Sequence, residues 1–250
     1  ADSWADPDGF HNALCEYNAA LRIPAAKSNL SSGFDIYHDA VIRHAQLITD
    51  RVAFRSITRE RGSSTLTYAE LDSRVGRLVS LLREAGIKPA APLCVLLHFG
   101  EGFVISLLAA LRIGATVSLV RPLGERYVAR RLKACKPQLI VTERLYRRLC
   151  GAFNTILHDE SGGQLWDARS HTYEPAAKML MLPSPTHDPP WSPVPVSGAT
   201  AYLRALRDGL CLYGLRAGDV LCAPGFETAQ HQPALLLATL LAGATYVDVE

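Results

Sequence analysis

An internal repeat constrains this chain more than any other feature. Leu107–Thr116 reads L-L-A-A-L-R-I-G-A-T, and Leu236–Thr245 reads L-L-A-T-L-L-A-G-A-T. The match extends backward, with Leu82, Gly86, Ile87, Leu93 and Cys94 corresponding to Leu210, Gly214, Leu215, Leu221 and Cys222. The offset is 129 residues over the later block and 128 over the earlier one, so one residue has been gained or lost between them. Leu, Ala and Gly are common residues, and identity alone would be a weak argument. The shared order carries it: helix, glycine, strand, helix, glycine, strand. Two copies of such a unit predict two sheets, or two halves of one sheet, related by an approximate twofold.

The rest of the chain fits an α/β reading. Ile36 to Gln46 is expected to be helical, Val52–Ile57 a strand, and Thr65–Thr67 a second short strand after a turn. Thr67-Tyr68-Ala69-Glu70 is a capping box that should start a helix with Leu71, Val75, Leu78, Val79 and Leu82 on one face and Gly86 at its end. Strands are then expected at Leu93–Leu97, Thr116–Val120 and Gln138–Val141, with helices at Gly102–Ile113 and Glu125–Ala134. Strands alternating with helices imply parallel pairing through right-handed crossovers. The fold class is therefore α/β, with two related subdomains of mostly parallel sheet flanked by helices.

Pro183, Pro185, Pro189, Pro190, Pro193 and Pro195 crowd the region between the copies. Proline lacks the amide donor of a central strand, so an extended connection is expected there. The organisation expected is a linker or docking segment at 1–33, a first subdomain at 34–174, a proline-rich connection at 175–196, and a second, shorter subdomain at 197–250. Phe10, Leu14, Tyr17 and Leu21 give the first of these one stretch of helical spacing.

Composition excludes some classes of partner. Twenty-six Lys and Arg face 24 Asp and Glu, a formal net charge of +2, which supplies no general field for nucleic acid or an anionic membrane. Apolar runs such as Val104–Leu111 are far shorter than the roughly 20 residues needed to span a bilayer. Ala1–Phe10 is acidic and polar, unlike a secretion signal. Cys15, Cys94, Cys135, Cys150, Cys211 and Cys222 form no C-x-x-C pair, and reduced, buried thiols in a cytoplasmic protein are expected. No two-His helix pair or Cys/His cluster supports a metal site.

Several segments together resemble the adenylate-forming superfamily of acyl-CoA synthetases, nonribosomal peptide synthetase adenylation domains and luciferases. They are Asp50-Arg51-Val52-Ala53, L-T-Y-A-E-L at Leu66–Leu71, Val79 to Gly86 with its following strand, L-L-A-A-L-R-I-G-A-T, the strand at Leu139–Thr142, and G-L-R-A-G-D-V-L at Gly214–Leu221 with L-L-A-G-A-T after it. The resemblance covers roughly residues 34 to 142 and 197 to 249, the amino-terminal half of such an enzyme.

That resemblance makes one loop decisive. Members carry a segment of the form S-G-T-T-G-x-P-K-G between the two repeats, whose glycines let backbone amides approach the ATP phosphates while a lysine adds charge. Here the matching residues read Ser184-Pro185-Thr186-His187-Asp188-Pro189-Pro190-Trp191-Ser192. Only Ser184, Thr186 and Pro190 remain; Pro185, Asp188 and Ser192 stand at glycine positions and Trp191 at the lysine position. No glycine lies between Gly163 and Gly198, so no other frame restores the loop. The family's later motifs, for adenine and magnesium, for ribose, and the adenylating lysine, would fall beyond Glu250. The resemblance thus implies ATP and Mg as the ancestral cofactors and none for this chain.

Other residues are weaker candidates. The family often has an aromatic-His pair at the acyl pocket; here Phe226 keeps the aromatic and Glu227 replaces the His. His98, at the equivalent strand end of the first copy, and His231 are further polar residues near strand ends, where α/β sheets bind ligands. Arg126, Arg130, Arg131 and Lys133, with Lys136, Arg144, Arg147 and Arg148 beyond them, are either a solvated helix face or a surface for a phosphopantetheine arm or an acidic acyl carrier protein. His38-Asp39 and His158-Asp159 are adjacent pairs without a nucleophile motif.

The expected function is a catalytically inactive, truncated adenylation-like domain acting as a structural or docking element in a polyketide or nonribosomal peptide synthase. Self-association is expected as well, because the apolar strand Thr245–Val249 would lack neighbours. The alternatives are part of an acyl- or aminoacyl-adenylating ligase that needs a partner half, and an acyl-binding module without chemistry.

Overall fold

The computed structural model describes residues 6, 8–10, 12–13, 16, 33–59, 62–159, 169–182, 192–223 and 232–249. Of the expected amino-terminal helix, Phe10 is described and packs against the core, while Leu14, Tyr17 and Leu21 lie outside the described residues.

A π-helical turn, His38–Ile42, runs into helix α1 (Arg43–Leu47), and a hairpin follows, β1 (Val52–Thr58) and β2 (Gly62–Thr67). Helix α2 (Tyr68–Glu84) starts at a complete capping box. The Thr67 hydroxyl accepts from the Glu70 amide at 3.2 Å, and the Glu70 carboxylate accepts from the Thr67 amide at 2.8 Å. Its face of Leu71, Val75, Leu78, Val79 and Leu82 is buried. The first copy continues with β3 (Pro92–Leu96), α3 (Glu101–Ile113), β4 (Thr116–Val120), α4 (Glu125–Cys135) and β5 (Leu139–Thr142). A 3-10 segment, Arg144–Cys150, leads to β6 (Thr155–Leu157) and β7 (Lys178–Leu182). β8 (Val194–Ser197) precedes the second copy: α5 (Gly198–Arg207), a π-helical turn Asp208–Leu212, β9 (Val220–Cys222), α6 (Gln232–Leu241) and β10 (Thr245–Val249).

The helix-to-strand corners after α3 and α6 are made by the repeated glycines, Gly114 at φ 78° and Gly243 at φ 71°. A left-handed residue there stops the helix and turns the chain back into the sheet, a conformation that favours glycine.

Two mostly parallel sheets result. The larger has the order β6-β5-β3-β4-β7-β8, parallel except for β8, and the smaller has the order β2-β1-β10-β9, parallel except for β2. Pro195 is accommodated because β8 is an edge strand among the described residues.

Sheet membership differs from the contiguous division expected at 34–174 and 197–250. The β1–β2 hairpin joins the strands of the second copy, and β7 and β8 complete the sheet of the first. The reason lies in the second copy's short strands: β9 has 3 residues and β10 has 5, and two such strands make no stable layer alone. β10 takes β1 as a parallel neighbour, in a register that sets Phe54 opposite Tyr246 with their rings stacked.

One apolar core runs between the layers. Every residue of α3 from Phe103 to Ile113 is buried, as expected of a helix apolar on all sides. Polar ties cross the chain: the Tyr202 hydroxyl donates to fully buried Asp39 at 2.7 Å, buried Arg43 donates to the Leu241 carbonyl at 2.6 Å, and the Tyr68 hydroxyl donates to the Ala244 carbonyl at 2.8 Å. Each satisfies a buried polar group, and together they fix the amino-terminal elements onto the second copy. Among the described residues no helix is long and apolar enough to cross a membrane. Cys94 and Cys150 are buried free thiols, whereas Cys211 and Cys222 are exposed, contrary to the expectation of burial; Cys15 lies outside the described residues.

Candidate functional site

In a parallel sheet the loops after the strands converge at one end, where backbone groups and polar side chains are free to meet a ligand. Five such loops or strand ends meet here between the two sheets. They carry His98 and Phe99 after β3, Glu143 and Tyr146 after β5, His158 after β6, Asp248 late in β10, and Ser56 and Thr58 late in β1. They enclose an open cavity of about 530 Å³, within the range of small-molecule sites.

Its walls are held by packing. Phe99 lies edge-on to Phe54 and to Tyr246 with centroids 6.3 and 5.4 Å away, and tilts on Phe103 at 5.2 Å. The exposed His98 ring meets Tyr146 edge-on at 5.5 Å. His158 lies so close to the first turn of α3 that a Cβ on Gly102 would come within 2.7 to 2.8 Å of its ring. A larger residue at that point would have to displace the imidazole. Glu101 on the same turn is ion-paired with Arg74.

Of the sequence candidates, His98 is placed in this cavity. Phe226, Glu227 and His231 lie outside the described residues, as do Ser184, Thr186 and Pro190. The strand β9 that leads toward Phe226 is at the opposite edge of the smaller sheet from β2, which lines the cavity. Sequence reasoning missed Glu143, Tyr146 and Asp248, and took His158 only as half of an adjacent pair; their shared signal is a position at or just past the carboxyl end of a parallel strand. His38 and Asp39 do meet, at 3.1 Å, but Asp39 is fully buried and accepts from the Tyr202 hydroxyl.

The basic residues form a separate surface. Arg126, Arg130 and Lys133 are exposed on α4 at helical spacing, while Arg131 is partly buried with its guanidinium 5.2 Å from the Tyr127 ring centroid. Arg144, Arg147 and Arg148 extend the exposed cations onto the 3-10 segment.

Fit to ATP can be tested at the strands flanking the expected loop. β7 closes at Leu182 and β8 opens at Val194, and residues 183–193 contain no glycine, lysine or arginine. Four prolines among residues 183–190 have no amide hydrogen for a phosphate oxygen, and Asp188 adds negative charge. Among the described residues no group of three His, Cys, Asp or Glu could hold a metal ion.

Residues 42–191 match the family described as AMP-binding enzyme. The chain belongs to that family. It is 27% identical over 157 residues to the acetyl-coenzyme A synthetase of Xylella fastidiosa, a match covering 56% of this chain and 24% of that protein. It is 29% identical over 105 residues to nonribosomal peptide synthetase asaC of Aspergillus flavus, covering 42% of this chain and 10% of that one. The solved Klebsiella oxytoca NpsA N-terminal subdomain superposes with a TM-score of 0.69 at 19% identity, over 86% of this chain and 54% of that chain. The fold is thus that of the amino-terminal part of adenylate-forming enzymes, and the chain spans less than two thirds of the length of each of these relatives.

Proposed function

We infer that this family member is catalytically silent and serves as a structural or docking element, in the setting of a polyketide or nonribosomal peptide synthase. One observation carries the reading: a well-formed α/β frame joined to a loop sequence whose glycines and lysine are replaced by Pro185, Asp188, Ser192 and Trp191. ATP and Mg are not expected to bind. The test is ATP–pyrophosphate exchange with a panel of acyl and amino acids; turnover above background by this chain would refute the reading.

Docking is assigned to the outward face of α4. Arg126, Arg130 and Lys133, with Arg147 and Arg148 nearby, suit an acidic partner such as an acyl carrier protein, where complementary charge speeds and orients encounter. Arg126→Glu with Arg130→Glu should weaken carrier binding at least tenfold at low salt, measured by calorimetry; an unchanged affinity would remove the docking role. The strand Thr245–Val249 does not lack neighbours, since β10 lies between β1 and β9, so self-association is assigned instead to the region around β9, where Leu212, Tyr213 and Val220 are 69%, 46% and 63% exposed. Light scattering should show a dimer or larger particle.

The coverage of the relatives favours a second reading, in which the chain is part of an acid-activating ligase completed by another segment. Exchange activity that appears only on adding a carboxy-terminal adenylation subdomain would select that alternative.

A further inference from the structure

We propose that Cys135 is a site of oxidation by hydrogen peroxide, with Cys94 as the thiol that resolves it into a disulfide. Three thiols, Cys94, Cys135 and Cys150, share the small apolar core under α4 with Leu96, Val128, Leu132 and Ile140. Cys94 lies in β3, opposite Ser118 in the register of β3 with β4, and residues opposite one another in a sheet present their side chains to the same face. Cys135 is the last residue of α4, the helix over that face. The Cys94 thiol and the Ser118 hydroxyl both come within hydrogen-bonding reach of the Cys135 sulfur.

The three thiols differ in what they can do. Attack on a peroxide needs a thiolate that a small oxidant can touch. Cys135 is the partly exposed member, while Cys94 and Cys150 are buried. Donation from Cys94, and then from Ser118, holds the Cys135 pKa below the usual thiol range, against the opposing effect of its partial burial. The carboxyl end of a helix disfavours negative charge, and these two donors offset it. Cys94 is the complement: its bond to Cys135 and its burial push its own pKa up, so it keeps its proton until the second step. Cys150 is held elsewhere, its Sγ donating to the Tyr146 carbonyl at 3.8 Å.

The chemistry balances in two steps. The Cys135 thiolate attacks one oxygen of hydrogen peroxide; an S–O bond forms, the O–O bond breaks, and the hydroxide released takes up a proton to become water. The Cys94 sulfur then attacks the Cys135 sulfur; the S–S bond forms, the S–O bond breaks, and the hydroxyl leaves as water with the Cys94 proton. Two thiols are oxidised to one disulfide, and one peroxide is reduced to two waters. The pair lies on the inner side of α4, so this reading is independent of the docking assigned to the outward face.

The experiment treats the folded, reduced chain with hydrogen peroxide at neutral pH, blocks the remaining thiols, and maps peptides by mass spectrometry. A Cys94–Cys135 link is expected, at least roughly tenfold more abundant than any link through Cys150, Cys211 or Cys222. In Cys94→Ser the link is lost and dimedone should trap a sulfenic acid on Cys135. No Cys94–Cys135 link, a Cys94–Cys150 link in its place, or Cys135 carried on to sulfinic acid with Cys94 still reduced would each overturn the proposal. Should Cys94→Ser fail to fold, the unaltered chain oxidised in urea decides: a loss of the preference for the Cys94–Cys135 link supports the site, and a preference kept in the unfolded chain refutes it.

Discussion

The two copies of the repeat share their order of elements but not their surroundings. In the first, Leu93 and Cys94 of β3 are fully buried, with β4 on one side and β5 on the other. In the second, the corresponding Leu221 and Cys222 lie in β9, which pairs with β10 alone among the described residues and leaves Val220 63% exposed. The helices differ too. α2 runs 17 residues without interruption, while its counterpart is 10 residues of α5 followed by a 5-residue π-helical turn. Local pattern thus sets which element forms, and the neighbouring strands set how far its side chains are removed from water.

The largest expected effect tests that difference directly. Leu93→Ala opens a cavity inside the larger sheet and should cost about 2–5 kcal/mol by urea denaturation. Leu221→Ala removes a side chain that is only partly buried and should cost roughly half as much or less. Equal losses would break the contrast.

Next in size is a pH effect at the seam between α1 and the second copy. His44 is buried against Tyr68 and Gly243, and burial, then the Arg43 charge, hold its pKa down to about 3. Unfolded, it would titrate near 6.5. Below that pH the unfolded chain takes up a proton that the folded chain refuses, so this stabilisation is present above about pH 6.5 and falls away toward pH 3. Its slope approaches about 1.4 kcal/mol per pH unit. Denaturation at pH 7.5 and pH 5 should show the loss, and His44→Gln should flatten the dependence. A pH-independent midpoint in the unaltered protein would contradict the account.

The smallest effect compares helix starts. Thr67 and Glu70 cap α2 through two reciprocal bonds, while at α5 the Ser197 hydroxyl accepts from the Thr200 amide at 3.2 Å. Thr67→Ala should cost about 1 kcal/mol or more and Ser197→Ala less. A reversed order in thermal melts would argue against the tighter start of the first copy.

What was legible in the sequence follows the same division. The box at Thr67, the buried face of α2 and the turns at Gly114 and Gly243 depend on residues within a few positions of one another, and they formed where the pattern placed them. The pairing of β1 with β10 was not legible, because it joins Phe54 to Tyr246 across most of the chain and reflects the need of two short strands for a neighbour. The π-helical turns at 38–42 and 208–212 carry no local signature either. Of the cavity, only His98 carries a pocket signature in the sequence; Glu143 and His158 follow β5 and β6 and Asp248 lies in β10, strands whose adjacency exists only once the sheet order is fixed.

The central claim is that the fold has been kept while the phosphate-binding loop has been lost. The most direct measurement is titration of the chain with inorganic tripolyphosphate, alongside a variant whose residues 184–192 carry the family's S-G-T-T-G-x-P-K-G pattern. The account predicts no saturable binding by the native loop and a gain of binding by the variant. Saturable micromolar binding by the native chain, or a correctly folded variant that gains nothing, would contradict it.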